Sequence, residues 1–240
     1  MTAKSETSLK HILIVGAGAG LSASIARKFH AGGLSVSLAA RKTDKLSGLA
    51  QQVGAEVYEC DASQVDQVDV LFANLDKAKR GAPDVVIYNP SYRVRGSIVD
   101  LDPAEVYQTL MVTGYGGFLV ARQAAKRMSS AGRGVVIFTG ASASMKGYAM
   151  SAPFAMGKFA LRGLAQSMAR ELQPRGVHVA HVNIDGGIRS EARPERADQP
   201  GKPDAMLSPD AIADTYWHLA NQHRSAWTME TELRPWLESF

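Results

Sequence analysis

Apolar runs of strand length alternate with stretches of helical spacing along the chain. HILIVG (11–16) is a near-continuous apolar segment, and LSVSLAA (34–40), AEVYEC (55–60) and PDVVIYN (83–89) are segments of strand length and composition. The first reads as a buried strand and the other three as further strands of the same α/β pattern. Between them, 21–33, 42–54 and 64–81 read as amphipathic helices, the first two closed by glycines. The stretch 103–132 reads as one long helix, broken or softened around 114–117 where glycines cluster. A fifth strand (133–140), a helix (152–172) and a sixth strand (176–184) follow. Ser208-Pro209 opens a further helix, and 225–233 supplies a seventh strand. The polar, proline-rich segment 189–206 reads as a loop or lid. Repeated β-α units predict an α/β fold: a doubly wound parallel sheet of seven strands with helices on both faces, in one domain spanning 1–240.

Composition narrows the partners. A chain of 240 residues can bury one substantial core, and 45% apolar with 21% charged residues fits a compact domain. The net charge of +4, from 27 Lys and Arg against 23 Asp and Glu, is spread along the chain. That argues against nucleic acid as a partner and suits a small phosphorylated ligand. Cys60 is the one cysteine, which excludes an intrachain disulfide, fits a reducing compartment and reads as a small apolar filler near a strand end. The opening MTAKSETSLK has no apolar run of signal-peptide length, and no membrane-length apolar run follows, so a cytoplasmic location is expected.

Chemistry enters at Gly16-Ala17-Gly18-Ala19-Gly20-Leu21-Ser22, between the first strand and the first helix. Glycines there let backbone approach a pyrophosphate, and the helix N-terminus offers unpaired N–H groups. Gly16-x-x-x-Gly20-x-Ser22 resembles the glycine-rich turn of the short-chain dehydrogenase/reductases, with Ser22 in place of the last glycine. The resemblance runs across essentially the whole chain. Asp61 after the third strand resembles that family's adenine-contacting Asp. Tyr88-Asn89-Pro90-Ser91 stands where the family has Asn-Asn-Ala-Gly, and Phe154-Ala-Met-Gly-Lys158 where it has Tyr-x-x-x-Lys. The resemblance implies a Rossmann-like domain holding a nicotinamide dinucleotide through Gly16, Gly18, Gly20, Leu21, Asp61, Asn89 and Lys158. At the end of the second strand, Ala40-Arg41-Lys42 offers no acid for ribose hydroxyls but does offer a guanidinium for a 2'-phosphate. NADP(H) is therefore expected over NAD(H), the competing reading being a solvated cationic pair opening the next helix.

The catalytic pattern is degraded. Carbonyl reduction needs a proton donor at the forming alkoxide, which the resembled family takes from the Tyr position. Here that position is Phe154, which has no proton to give. Matching the fifth strand places Ala141 at the substrate-orienting Ser position, with Ser142 next to it, and the family's helical Asn falls on Thr113. Lys158 is retained, and the resemblance implies that its ammonium holds the nicotinamide ribose. Tyr148 is the candidate substitute donor, with a packing or surface role as its alternative. Ser142, Ser144 and Thr139 either bond substrate or satisfy backbone at a strand end. Asp185-Gly186-Gly187 stands at the family's Pro-Gly, with no role evident for the Asp185 side chain. His178 and His181, three apart on a strand, face opposite ways, so no metal is expected. Trp217, Trp227 and Trp236 are expected in the core or at a subunit contact. Two functions fit: an NADP(H)-dependent oxidoreductase acting on a carbonyl or similarly polarised substrate with an atypical donor, or a non-catalytic NADP(H)-binding sensor or partner subunit. Apolar content in 104–130 and 152–172, the helices that form the subunit contact in the resembled family, predicts a homodimer or homotetramer.

Overall fold

The computed structural model describes residues 9–190, 193–197 and 201–238. Of the predicted 189–206 loop, residues 191–192 and 198–200 thus lie outside the described residues, as do the first eight of the chain. Seven strands form one parallel sheet in the order β3-β2-β1-β4-β5-β6-β7. They are β1 (His11–Val15), β2 (Ser35–Ala40), β3 (Glu56–Glu59), β4 (Val85–Tyr88), β5 (Gly134–Thr139), β6 (Val177–Ile184) and β7 (Glu230–Leu233). Their alternation sorts side chains onto two faces. Leu13, Val15, Val86, Tyr88, Val136 and Phe138 share one core with helices α3 (Val65–Lys77), α5 (Gly116–Ala131) and α6 (Ala152–Leu172). Ile12, Ile14, Val36, Leu38, Val85 and Ile87 share the other with α1 (Leu21–Ala31) and α7 (Pro209–Ala220). With a core on each side, the central strands are buried at every position, and this produces their unbroken apolar runs.

The strand order reverses beside β1, which pairs with β2 on one side and β4 on the other. Chains leaving the carboxyl ends of these two strands diverge, one toward each half of the sheet, and open a crevice there.

The softening expected at 114–117 takes a specific form. Helix α4 (Pro103–Leu110) starts on an Asp102 cap and continues through a π-helical segment, Met111–Tyr115, into α5. A π turn displaces carbonyls from their usual partners. The Tyr88 hydroxyl reaches up from β4 to donate to the Val112 carbonyl. A side chain at Gly116 would strike that hydroxyl 2.5 Å away, and one at Gly117 would meet Leu161 at 2.4 Å. The glycines therefore serve close packing of this helix on β4 and α6.

One expectation changes at the C-terminal end. Strand β7 covers only Glu230–Leu233. Arg224–Ala226 instead forms a short 3-10 turn whose start accepts the Ser225 N–H on the His223 ring, which pulls the chain out of strand geometry. Trp227 stacks at 4.9 Å on His178 and Trp217 packs edge-on against Phe29, while Trp236, 71% exposed, lies outside the core, which leaves for it the subunit-contact alternative. The Ser208-Pro209 helix start is as expected, with the Ser208 hydroxyl accepting the Ala211 N–H. Among the described residues no helix is long and apolar enough to cross a membrane.

Candidate active site

Gly16 leaves β1 at φ +80°, a conformation that side-chain-bearing residues avoid, and a Cβ there would lie 2.7 Å from the Pro90 backbone nitrogen. The first glycine of the turn is thus required by the chain itself. Around Gly18 and Gly20, by contrast, an added Cβ would meet nothing within 4 Å. Those two glycines border open space, and Gly20 caps the N-terminus of α1 with no side chain in the way. Ser22, at the position of the missing third glycine, is buried and ties the site together: its hydroxyl donates to the Gly16 carbonyl at 3.0 Å and accepts from Asn89 Nδ2 at 2.8 Å.

A cavity of about 620 Å³ opens at the crevice, where Gly16, Arg41, Asp61 and Asn89 converge from four separate strand ends. Asp61 is held in place by its own turn, its carboxylate accepting the N–H and hydroxyl of Ser63 at 3.0 and 2.7 Å. Arg41 and Lys42 lie exposed at the rim. Cys60 lines the floor as a buried thiol that burial and nearby carboxylates push up to about 11, as suits an inert filler.

A second cavity of about 490 Å³ shares Asn89 with the first and brings together Leu21, Ser142, Tyr148, Phe154 and Lys158. Lys158, one turn along α6 from Phe154, is 3% exposed and donates to the Thr139 carbonyl at 2.7 Å. Desolvation pushes its ammonium down to about 8, so it gives up its proton within reach of neutral pH. The Phe154 ring lies under two cations, with Lys158 Nζ 5.8 Å and the Arg93 guanidinium 5.0 Å from its centroid. Tyr148 is 45% exposed in the loop before α6, with the Lys146 ammonium 5.5 Å from its ring.

The strand-end hydroxyls divide. Ser142 lines the cavity. Ser144 is fully buried and its Oγ accepts the Ala141 N–H at 3.1 Å, a backbone-satisfying role. The Thr139 hydroxyl pairs with Tyr216 at 2.8 Å and is committed to α7. Thr113, in the π segment, is buried and accepts the Tyr92 N–H at 3.3 Å. The Asp185 side chain now has an account, since it forms an ion pair with Arg234 beyond β7. His178 and His181 do face opposite sides of β6, one stacked on Trp227 and the other in contact with the loop at Gly140. The described residues hold no group of three or more potential metal ligands.

Arg93, Arg193 and Arg196 also line the second cavity, and nothing in the sequence pattern singles them out. They come from loops about 100 residues apart. The one available hint is the basic spacing of SYRVRG directly after Asn89.

Comparison with known proteins agrees with this geometry. The family model described as short chain dehydrogenase matches residues 10–200. The chain is 29% identical over 187 residues to the cyclic-di-GMP-binding biofilm dispersal mediator protein of Escherichia coli, covering 77% of this chain and 76% of that protein. A short-chain dehydrogenase from Rhodopseudomonas palustris, 34% identical, superposes with a TM-score of 0.80 over 95% of this chain and 99% of that one. A metagenomic short-chain oxidoreductase crystallised with NADP is 28% identical, with a TM-score of 0.82 over 95% and 98% of the two chains. With the match running over most of its length and through both cavities, the chain belongs to the short-chain dehydrogenase family.

Proposed function

We propose that the protein is an NADP(H)-dependent oxidoreductase that reduces a carbonyl or similarly polarised group, with a proton donor other than residue 154. The observation that carries this reading is the buried Lys158 ammonium, desolvated and facing a cavity that adjoins the glycine turn. A charge buried at such cost is retained where it binds or reacts. The residues fit a dinucleotide: Gly18 and Gly20 leave free space for close approach, and Arg41 and Asp61 line the first cavity from the adjacent ends of β2 and β3. Arg41 would hold a 2'-phosphate, Asp61 the adenine end, Asn89 the middle, and Lys158 the nicotinamide ribose. Bound NADPH supplies a hydride. The chain's own part is to orient the acceptor oxygen through Ser142 and to deliver a proton to it from the Tyr148 hydroxyl or from water.

NADPH is expected to bind more tightly than NADH, and Arg41→Asp to reverse or abolish the preference, because a carboxylate repels the 2'-phosphate and accepts ribose hydroxyls. Titration of the pure protein with both cofactors measures this, and equal wild-type affinities remove its basis. A panel of carbonyl compounds scored for NADPH oxidation tests the reaction.

A second reading, a nucleotide-binding sensor or partner subunit, is favoured by Phe154 and by the ligand-binding name of the Escherichia coli relative. Tight NADPH binding with no turnover on any carbonyl favours it over the enzyme.

We also propose that α4 to α6 form a subunit contact. Tyr107, Tyr115, Phe118, Met156 and Phe159 lie exposed on these neighbouring helices, with Tyr115 and Phe118 stacked 6.0 Å apart. Large apolar side chains exposed on neighbouring helices are what a subunit contact would cover. A homodimer or homotetramer is expected in sedimentation at micromolar concentration, and a monomer there overturns it. The buried single thiol fits a cytoplasmic location.

A further inference from the structure

The second cavity has a one-sided charge. Arg93, Lys158, Arg193 and Arg196 line it, and among the described residues no Asp or Glu does. Among the described residues none of these three guanidiniums has a carboxylate partner, although Glu195 stands on the same short turn, Pro194–Arg196, as Arg196. Arg93 is anchored over Phe154 at 5.0 Å, the same ring that lies 5.8 Å from Lys158 Nζ. Burial, together with repulsion from Arg95 and Arg196, holds the Arg93 guanidinium below its ordinary pKa. Arg93 and Arg193 are exposed and Arg196 half-buried; cations gathered in this way, against the repulsion of Arg196 on Arg93, are stabilised when an anion enters between them.

Resting on the oxidoreductase reading, we infer that the substrate carries an anionic head, a carboxylate or a phosphate, held by Arg93 and Arg196 with Arg193 beside them, and that this head leaves its carbonyl toward Lys158 and Tyr148. A guanidinium presents paired N–H donors that match two oxygens of either group. The position of residue 154 supports the assignment. A Phe there offers a face for Arg93 to stack on, so the side chain that removes the family's phenol also orients the proposed anion receptor.

The test is calorimetric titration of the protein, saturated with NADP+, which cannot reduce a ketone, using two matched pairs: 4-oxopentanoate with its methyl ester, and dihydroxyacetone phosphate with dihydroxyacetone. The anionic member of at least one pair should bind about 10- to 100-fold more tightly, the range for a charge-assisted pair of hydrogen bonds, and added salt should shrink the ratio. The pair with the larger ratio identifies the head group. The Arg93→Met, Arg196→Met double variant should bring the ratio to about one while NADPH affinity stays at its wild-type value, which also reports an intact fold; Arg93→Lys should retain part of the preference. Equal binding of charged and neutral members, no measurable binding of either anion, or a preference that survives the double variant overturns the inference. The titrations repeated without cofactor, beside a titration with NADPH alone, keep the two readings apart. A protein that ignores NADPH yet still discriminates the anions refutes the oxidoreductase reading and leaves the anion site standing.

Discussion

Phe154→Tyr is expected to create or raise carbonyl reductase activity, and Ala141→Ser added to it to raise the activity further. The substitution adds one oxygen at nearly constant shape, on a ring already beside the Lys158 ammonium and the Arg93 guanidinium. Two cations next to a phenol favour its ionised form and so make it a better acid. General acid catalysis contributes about 10²- to 10⁴-fold, and an increase of that order in NADPH oxidation with ketone substrates is the expected result. The Ser at 141 returns a substrate-orienting hydroxyl on the strand-end loop. Activity should decline as pH rises through about 8, where Lys158 loses its proton and with it the charge that holds the phenol acidic. Tyr148→Phe in the wild-type background is the control: if native turnover is unchanged by it, Tyr148 is not the donor. Should the Phe154→Tyr, Ala141→Ser protein bind NADPH normally and stay inert, the cavity serves another purpose and the sensor reading gains.

The second large effect separates the glycines of the turn. Gly16→Ala forces an L side chain into φ +80° and drives its Cβ to 2.7 Å from backbone at Pro90. Backbone strain costs about 1–3 kcal/mol and overpacking about 1–3 more. A fall in Tm of roughly 5–15 °C follows for a domain of this size, with NADPH binding lost alongside. Gly18→Val is the contrasting case. Its side chain enters open space, so thermal stability should change by less than about 1 kcal/mol. It should nonetheless weaken NADPH at least about tenfold by occupying the approach to the pyrophosphate, a difference of roughly 1.4 kcal/mol. Thermal melts and cofactor titration on both variants check the pair. A Gly18→Val protein that binds NADPH like the wild type would show that the cofactor does not approach this turn.

Much of the molecule was legible in its sequence, and the reason is periodicity. Apolar-rich runs of strand length that alternate with amphipathic stretches are the pattern of a parallel doubly wound sheet; β1, β2, β4, β5 and β6 and the whole of α6 (Ala152–Leu172) fall where the pattern put them. The glycine turn was readable because its position after β1 is a local fact. So was the substitution at Phe154, which is plain in the residue string once the surrounding helix is matched. What spacing along the chain does not carry is which side chains meet across the fold. Nothing local predicts that Tyr88 would satisfy a carbonyl freed by a π turn at Val112, that Thr139 would turn its hydroxyl away to Tyr216, or that Asp185 would be neutralised by Arg234. The gathering of Arg93, Arg193 and Arg196 around the Phe154 cavity is of the same kind. Each arginine, taken singly, reads as an ordinary solvated charge. Only the sheet, by fixing which loops stand side by side at its carboxyl edge, brings them to one cavity, with Arg196 close enough to act on Arg93.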